Sequence, residues 1–218
     1  MKFNKLAIAV GAAVLGLSSV AQAEISANIG VTSNYIWRGV TQTNDGAAIQ
    51  GGIDYAHESG FYAGTWASNV EWVNGEELDL YAGFAGEVEG FGYDVGAIYY
   101  MYPSDGTDSD FTEIYGSVSF GPATAGLAYT IDKEATSTDV NDLYYYLSAG
   151  TDIADGWSVS GTVGHYDFEA AGGDYSHAQL DVTKSAGDFG DFTFSLSKAG
   201  DNSGDDGINP FVSWSKSF

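Results

Sequence analysis

The stretch of sequence that decides the fold is ELDLYAGFAGEVEGFGYDVGAIYYM, residues 77–101. It contains two runs, 77–88 and 91–101, in which apolar and polar residues alternate, and Glu89-Gly90 separates them. A period of two places successive side chains on opposite faces of a β-strand. The stretch therefore predicts two strands with unlike faces, joined by a tight turn. In the first strand one face holds Leu78, Leu80, Ala82, Phe84 and Val88, and the other holds Glu77, Asp79, Tyr81 and Glu87.

The same alternation continues along the chain in both directions. Clusters of Gly, Asp, Asn and Ser separate the runs, as expected of turns. Connections after even-numbered runs are short, whereas those after odd-numbered runs are mostly longer and acidic. This pattern is typical of a transmembrane, antiparallel, up-and-down β-barrel, so we predict an all-β fold. The twelve runs cover 25–37, 46–56, 60–70, 77–88, 91–101, 111–120, 122–131, 140–150, 156–166, 175–184, 191–199 and 208–218.

Composition and charge exclude several functional classes. The 218 residues include 30 acidic and 7 basic ones, giving a net charge of −23, and there is no cysteine. So acidic a chain, with its few basic residues scattered singly, is unsuited to binding a phosphate backbone, which excludes nucleic acid as a partner. Disulfide scaffolds and thiolate metal sites are excluded as well. We predict no cofactor, and the three histidines lack metal-ligand spacing.

The first 23 residues predict a Sec signal peptide. Lys2 and Lys5 precede an apolar run, 6–20, and Ala21-Gln22-Ala23 fits a cleavage site. The alternative, a transmembrane anchor, needs ~20 apolar residues, and this run is shorter. We therefore predict an outer-membrane β-barrel over 24–218, in a Gram-negative cell, with both termini periplasmic.

A soluble β-sandwich is the main alternative fold, because its strands also alternate apolar and polar residues. Its polar face would carry Lys and Glu, whereas here many polar positions are Ser, Thr, Asn, Gln, Tyr and Gly. Aromatic residues also occur near strand ends on the apolar face, where membrane interfaces favour them. These residues are Tyr35, Trp37, Tyr55, Tyr93, Tyr99, Trp157 and Trp214.

Three parts of the stretch 26–70 carry a resemblance to a known family. Ser33-Asn34-Tyr35 followed by Trp37-Arg38-Gly39, the strand at 48–52 and the segment GFYAGTWASNV at 60–70 resemble the opening of the TorF family of porin-like outer-membrane proteins. The terminal Phe218 resembles the sorting signal read by the outer-membrane assembly machinery, although Lys216 departs from its pattern. The resemblance implies a pore, and it implies no particular substrate or set of functional residues.

If the apolar faces meet lipid, the opposite faces line a lumen. Its carboxylates predict a porin-like channel for passive diffusion of small solutes, cationic or neutral, because rings of carboxylates favour cations. In the alternative, the carboxylates pair with Arg38, Lys184 or divalent ions, and the barrel is plugged or structural. The predicted pore-lining residues are Arg38, Asp54, Asp79, Tyr81, Asp94, Tyr100, Glu113, Tyr115, Tyr144 and Asp181.

An enzyme of the outer-membrane phospholipase type is a further alternative. His165 has the lipid-facing parity, and a loop centred near residue 170 would place Ser176 beside it, with Asn141 on the preceding strand. Acyl transfer requires a nucleophile, a base and a residue that orients the base. Such enzymes, however, carry the His and Ser two apart on one strand. We therefore predict that the protein is not an enzyme and has no catalytic residues.

Overall fold

The computed structural model describes residues 23–105, 109–134, 141–170 and 172–218. Nearly all of the predicted signal peptide therefore lies outside the described residues. In the described part of the chain, no helix is long and apolar enough to cross a membrane.

Twelve antiparallel strands form one closed barrel, as predicted. Each strand pairs with its neighbour along the chain, and β1 closes the barrel by pairing with both β4 and β14. A separate two-stranded sheet consists of β2 (Ile36–Trp37) and β3 (Val40–Thr41). The barrel strands are β1 (Glu24–Thr32), β4 (Ala48–Ala56), β5 (Phe61–Val70), β6 (Gly75–Val88), β7 (Phe91–Met101), β8 (Phe111–Phe120), β9 (Ala123–Lys133), β10 (Leu143–Ala154), β11 (Trp157–Asp167), β12 (Tyr175–Ser185), β13 (Asp191–Ala199) and β14 (Ile208–Ser217).

The connections differ between the two ends of the barrel. At the end where β1 begins and β14 ends they are short, such as 57–60, 89–90, 121–122 and 155–156, and 186–190 contains a short 3₁₀ helix, Gly187–Phe189. At the other end they are mostly longer, with 33–47 the longest and 71–74 an exception. The first and last strands meet at the short-turn end, where Ala27 and Phe218 exchange backbone hydrogen bonds of 3.2 and 2.8 Å.

Burial in the barrel is the reverse of that in a soluble protein. On β6 and β7 the apolar Leu80, Phe84 and Val95 are about half exposed, whereas Asp79 and Asp94 are buried. The same inversion recurs on other strands, for example at Ile53 beside Asp54 on β4. A soluble sheet would turn its carboxylates to water and its aliphatic residues inward. The apolar outer surface is the kind that lipid covers.

The first strand ends earlier than the sequence predicts. β1 stops at Thr32 rather than at residue 37, and the chain then turns into the β2–β3 sheet. Tyr35 and Trp37 were predicted on the outer face, and this prediction is wrong: Tyr35 is buried and Trp37 packs against aromatic rings of other strands. The alternation continues through Trp37 in the sequence, so period alone does not mark where the chain leaves the sheet.

Candidate pore constriction

Residues 33–47 fold back into the barrel from the long-loop end, and we call this segment the inner loop. Its tip is the β2–β3 hairpin, whose Trp37 lies edge-on to Tyr100, Phe111 and Tyr166, with ring centroids 6.0, 6.3 and 5.9 Å apart. These rings belong to β7, β8 and β11. The inner loop therefore contacts strands from different parts of the barrel wall and lies in the interior between them.

The hairpin turn consists of Arg38 and Gly39. Both have positive φ, 48° and 90°, as a two-residue type I′ turn requires. A Cβ atom at Gly39 would lie 2.5 Å from Cβ of His177 on β12, so only glycine allows this close approach. The turn thus carries Arg38 on a tip that is packed tightly against the wall.

Arg38 forms a bidentate ion pair with Glu113 on β8. Its Nη1 and Nη2 donate to Oε1 and Oε2 over 2.8 and 2.6 Å, and both side chains are almost fully buried. The guanidinium also lies over the rings of Trp37, Tyr144 and Tyr166, at 4.1, 4.3 and 4.9 Å from their centroids. Arginine suits such a site because its planar guanidinium can form two parallel hydrogen bonds to a carboxylate while it stacks on aromatic rings.

Backbone contacts hold the rest of the inner loop. Thr41 N donates to Asp205 Oδ2 at 2.9 Å, and Glu71 N donates to Gln42 O at the same distance. These contacts tie the loop to two other connections at its end of the barrel. The Arg38–Glu113 pair anchors the hairpin tip to β8.

Two further acidic residues, Glu77 and Asp79, lie on β6 near the inner loop. Glu77 Oε1 accepts from the Tyr35 hydroxyl at 2.8 Å, and its Oε2 accepts from the Tyr102 hydroxyl at 2.9 Å. Asp79, two residues along the same face, is also buried. Within the described part of the chain its Oδ1 has no hydrogen-bond partner.

Nearer the short-turn end, carboxylates are held mainly by tyrosine hydroxyls. Tyr81 donates to Asp54, and Tyr62 donates to Asp94 at 2.6 Å. The Tyr62 hydroxyl also meets that of Tyr115. On the opposite wall, Asp181 Oδ1 accepts from Ser195 Oγ at 2.6 Å and from Gln179 Nε2 at 2.9 Å.

Glycines opposite inward tyrosines let these rings lie against the wall. A Cβ atom at Gly64 would lie 2.6 Å from the ring of Tyr81, its partner on the neighbouring strand. The ring therefore occupies the space that a side chain would fill, rather than the centre of the lumen. The same arrangement recurs at Gly96 with Tyr115 and at Gly126 with Tyr146.

The ten predicted pore-lining residues are all buried or half-buried. Tyr115 and Asp181 are half-buried, and the other eight are buried. The structure brings Arg38, Glu113, Tyr100 and Tyr144 together with the inner loop, whereas Asp54, Tyr81, Asp94 and Tyr115 lie in the tyrosine-bonded group. Their role in lining a pore stays a prediction.

Sequence reasoning missed several residues of the constriction. It assigned Tyr35 and Trp37 to the lipid face. It put Glu77 on the polar face without selecting it, although Glu77 has the same parity as Asp79. His177, whose ring is 2.9 Å from the Tyr144 hydroxyl, was considered only as a metal ligand. The alternation of strand faces could have identified Glu77, because it lies two residues from Asp79 on the same face. No local signal, however, indicates that the inner loop turns inward.

The predicted neighbours His165 and Ser176 do meet. They are register partners on β11 and β12, and His165 Nδ1 lies 2.9 Å from Ser176 Oγ on the outer side of the barrel. The third residue, Asn141, instead accepts a hydrogen bond from the Tyr129 hydroxyl at 2.6 Å. The trio expected for acyl transfer is therefore not assembled.

The barrel is similar in fold to solved porins. The KdgM porin matches with a TM-score of 0.61 at 6% identity, over 88% of this chain and 98% of that one. The NanC porin matches with a TM-score of 0.56 at 9% identity, over 88% and 98%. A further structure is described as the KdgM porin in complex with disordered oligogalacturonate. It matches with a TM-score of 0.60 at 6% identity, over 89% of this chain and 97% of that one. At such identities the likeness establishes the fold alone.

A family model matches most of the sequence. It covers residues 18–204 and is described as a bacterial protein of unknown function, Gcw_chp. This description does not confirm the TorF name suggested by the opening motifs. No curated protein matches the sequence. The chain therefore belongs to the Gcw_chp family, and its own barrel is similar in fold to the KdgM and NanC porins.

Proposed function

We propose that the protein is an outer-membrane channel for passive diffusion of small solutes, cationic or neutral. The observation that carries the proposal is the inverted barrel, in which aliphatic side chains are exposed around the outside and carboxylates are buried inside. Such a surface is stable in lipid, and a polar interior can hold water. The fold shared with KdgM and NanC supports the same function.

The charge of the interior favours cations. Asp54, Asp79, Asp94, Glu113 and Asp181 are on its inward-facing side, and Arg38 is already paired with Glu113. A constriction ringed by carboxylates attracts cations and repels anions. We therefore do not transfer oligogalacturonate, itself a polyanion, from the KdgM complex to this chain.

The proposed location follows from the two ends of the barrel. In outer-membrane barrels the short turns are periplasmic and the longer loops are extracellular. On that rule both termini are periplasmic here, and the inner loop enters from the cell exterior. Removal of a signal peptide before Glu24 would leave the start of β1 at the periplasmic face, and the outer-membrane assembly machinery would recognise the terminal Phe218.

The function is tested by conductance. The folded protein lacking residues 1–23, placed in a planar bilayer under a KCl gradient, is expected to give discrete current steps with a reversal potential of the sign for cation preference. Loss of the heat-dependent gel mobility shift identifies unfolded samples. Anion preference would refute the proposed selectivity. Silence from a folded barrel would support the alternative of a plugged or structural barrel.

A hydrolase is the second function that a specific contact recommends, namely His165 with Ser176. The pair lacks the orienting residue of a triad, because Asn141 is engaged by Tyr129. We expect no release of fatty acid from phospholipid micelles, and no difference between the protein and its Ser176→Ala variant. Hydrolysis that disappears in Ser176→Ala would contradict this expectation.

A further inference from the structure

The buried layer around the inner loop contains more negative than positive charge. Glu77, Asp79 and Glu113 are each at most 3% exposed, and Asp79 interacts electrostatically with both glutamates. Arg38 pairs with Glu113. Two carboxylates of one β6 face therefore remain without a positive partner in this layer.

The two remaining carboxylates differ in how they are held. Both oxygens of Glu77 accept hydrogen bonds from tyrosine hydroxyls, Tyr35 and Tyr102. Asp79 Oδ1 is buried and receives none from the described residues. A buried carboxylate oxygen without a partner is costly. The site therefore lacks a donor or a cation at Asp79.

The basic residues of the described chain are all engaged elsewhere. Lys133 pairs with Asp142. Lys184 and Lys198 donate to the backbone oxygens of Asp155 and Asp206, and Lys216 lies over the ring of Phe218. Lys2 and Lys5 lie outside the described residues and within the predicted signal peptide. The positive charge that Asp79 lacks is therefore not supplied by the described chain.

Aromatic rings surround this unpaired carboxylate. Asp79 faces Trp66 on β5 and Tyr100 on β7 as register partners. Tyr35 packs edge-on against Trp66, with centroids 5.6 Å apart, and interacts electrostatically with Asp79. Aromatic faces attract cations, and organic ammonium groups most characteristically. A carboxylate among aromatic rings has the chemistry of a site for an ammonium ion.

We propose that Asp79, assisted by Glu77, binds the ammonium group of a small organic cation that passes through the barrel. This assignment rests on the proposed channel function and specifies its class of solute. A metal ion fits less well, because the described residues contain no cluster of three acidic, histidine or cysteine side chains that could hold one. The three N–H donors of an ammonium group can be met by Asp79, by Glu77 and by the ring faces.

Binding is tested without relying on conduction. The thermal unfolding midpoint of the folded barrel in detergent, followed by tryptophan fluorescence, is expected to rise and saturate with methylammonium chloride, and to rise less with potassium chloride at equal ionic strength. Asp79→Asn is expected to raise the half-saturating concentration of this response by about tenfold. The matched control is Asp181→Asn, because Asp181 is also an inward carboxylate but has its own hydrogen-bond donors; it should keep the response. If Asp79→Asn does not fold, Asp79→Ser takes its place.

Two results of this experiment would overturn the site. No response of the unmodified protein would mean that Asp79 does not bind an ammonium group. An equal response to potassium would mean that the site does not select ammonium.

Conductance measurements distinguish failure of the ammonium site from failure of the channel function on which it rests. In the bilayer, methylammonium current is expected to saturate with concentration, and Asp79→Asn should raise the half-saturating concentration by about tenfold, the effect of losing one hydrogen bond to a charged group. Methylammonium binding by a barrel that carries no current would refute the channel and support the site. Current that Asp79→Asn leaves unchanged, together with an unchanged thermal response, would support the channel and refute the site.

Discussion

Replacing Arg38 with glutamine is expected to increase the single-channel conductance several-fold and to destabilise the barrel by about 3–5 kcal/mol. The substitution removes the bidentate partner of Glu113 and leaves that carboxylate buried. It also removes the cation that stacks on Trp37, Tyr144 and Tyr166. The hairpin tip then loses its anchor on β8 while the other contacts of the inner loop remain, so the constriction widens.

Stability and conductance should respond differently to a second substitution. Urea unfolding in lipid vesicles measures the stability, and recordings in planar bilayers measure the conductance. In Arg38→Gln/Glu113→Gln the carboxylate that lost its partner is also removed, so most of the lost stability should return while the conductance stays high. Lys184→Gln is the matched control, because Lys184 is a cation at the rim that bonds a backbone oxygen. An unchanged conductance in Arg38→Gln would mean that the inner loop is not the constriction.

The faces of the strands were predictable because their period is simple. Asp79 and Leu80 are neighbours in sequence, and alternation alone assigns one to the interior and one to the lipid side. Alternation also predicted that His165 and Ser176 would meet, since antiparallel partners follow from the position of the connecting loop. Strand count and connection lengths then identified the barrel.

The partners inside the barrel could not be predicted in this way. Arg38 and Glu113 are 75 residues apart, and they meet only because the inner loop leaves the sheet after Thr32. That departure depends on the left-handed turn at Arg38-Gly39 and on the fit of Gly39 against His177. Neither is visible in the alternation, which continues through Tyr35 and Trp37. The position of the inner loop is a product of tertiary packing, whereas the barrel wall is encoded locally.

The second large effect follows from which face of each strand meets lipid. It is seen by comparing an arginine substitution at two adjacent residues of β12, Leu180 and Gln179. Leu180 lies at the middle of the strand and is 60% exposed on the outer face. An arginine at the bilayer midplane of a barrel costs about 2–4 kcal/mol. Leu180→Arg is therefore expected to lower the free energy of unfolding by this amount in lipid vesicles.

Gln179→Arg is the matched control, because it introduces the same side chain one residue away. Gln179 is on the inward face and donates to Asp181 at 2.9 Å, so an arginine there would meet a carboxylate and water in place of lipid. We expect its unfolding free energy to stay within about 0.5 kcal/mol of the unmodified protein. In detergent-free buffer a soluble barrel would tolerate Leu180→Arg at least as well as Gln179→Arg. Equal stability of the two variants in vesicles would therefore contradict a lipid-facing outer surface. A large loss confined to Leu180→Arg is the result that the inverted burial requires, because only the outer side of the wall lacks water to solvate the charge.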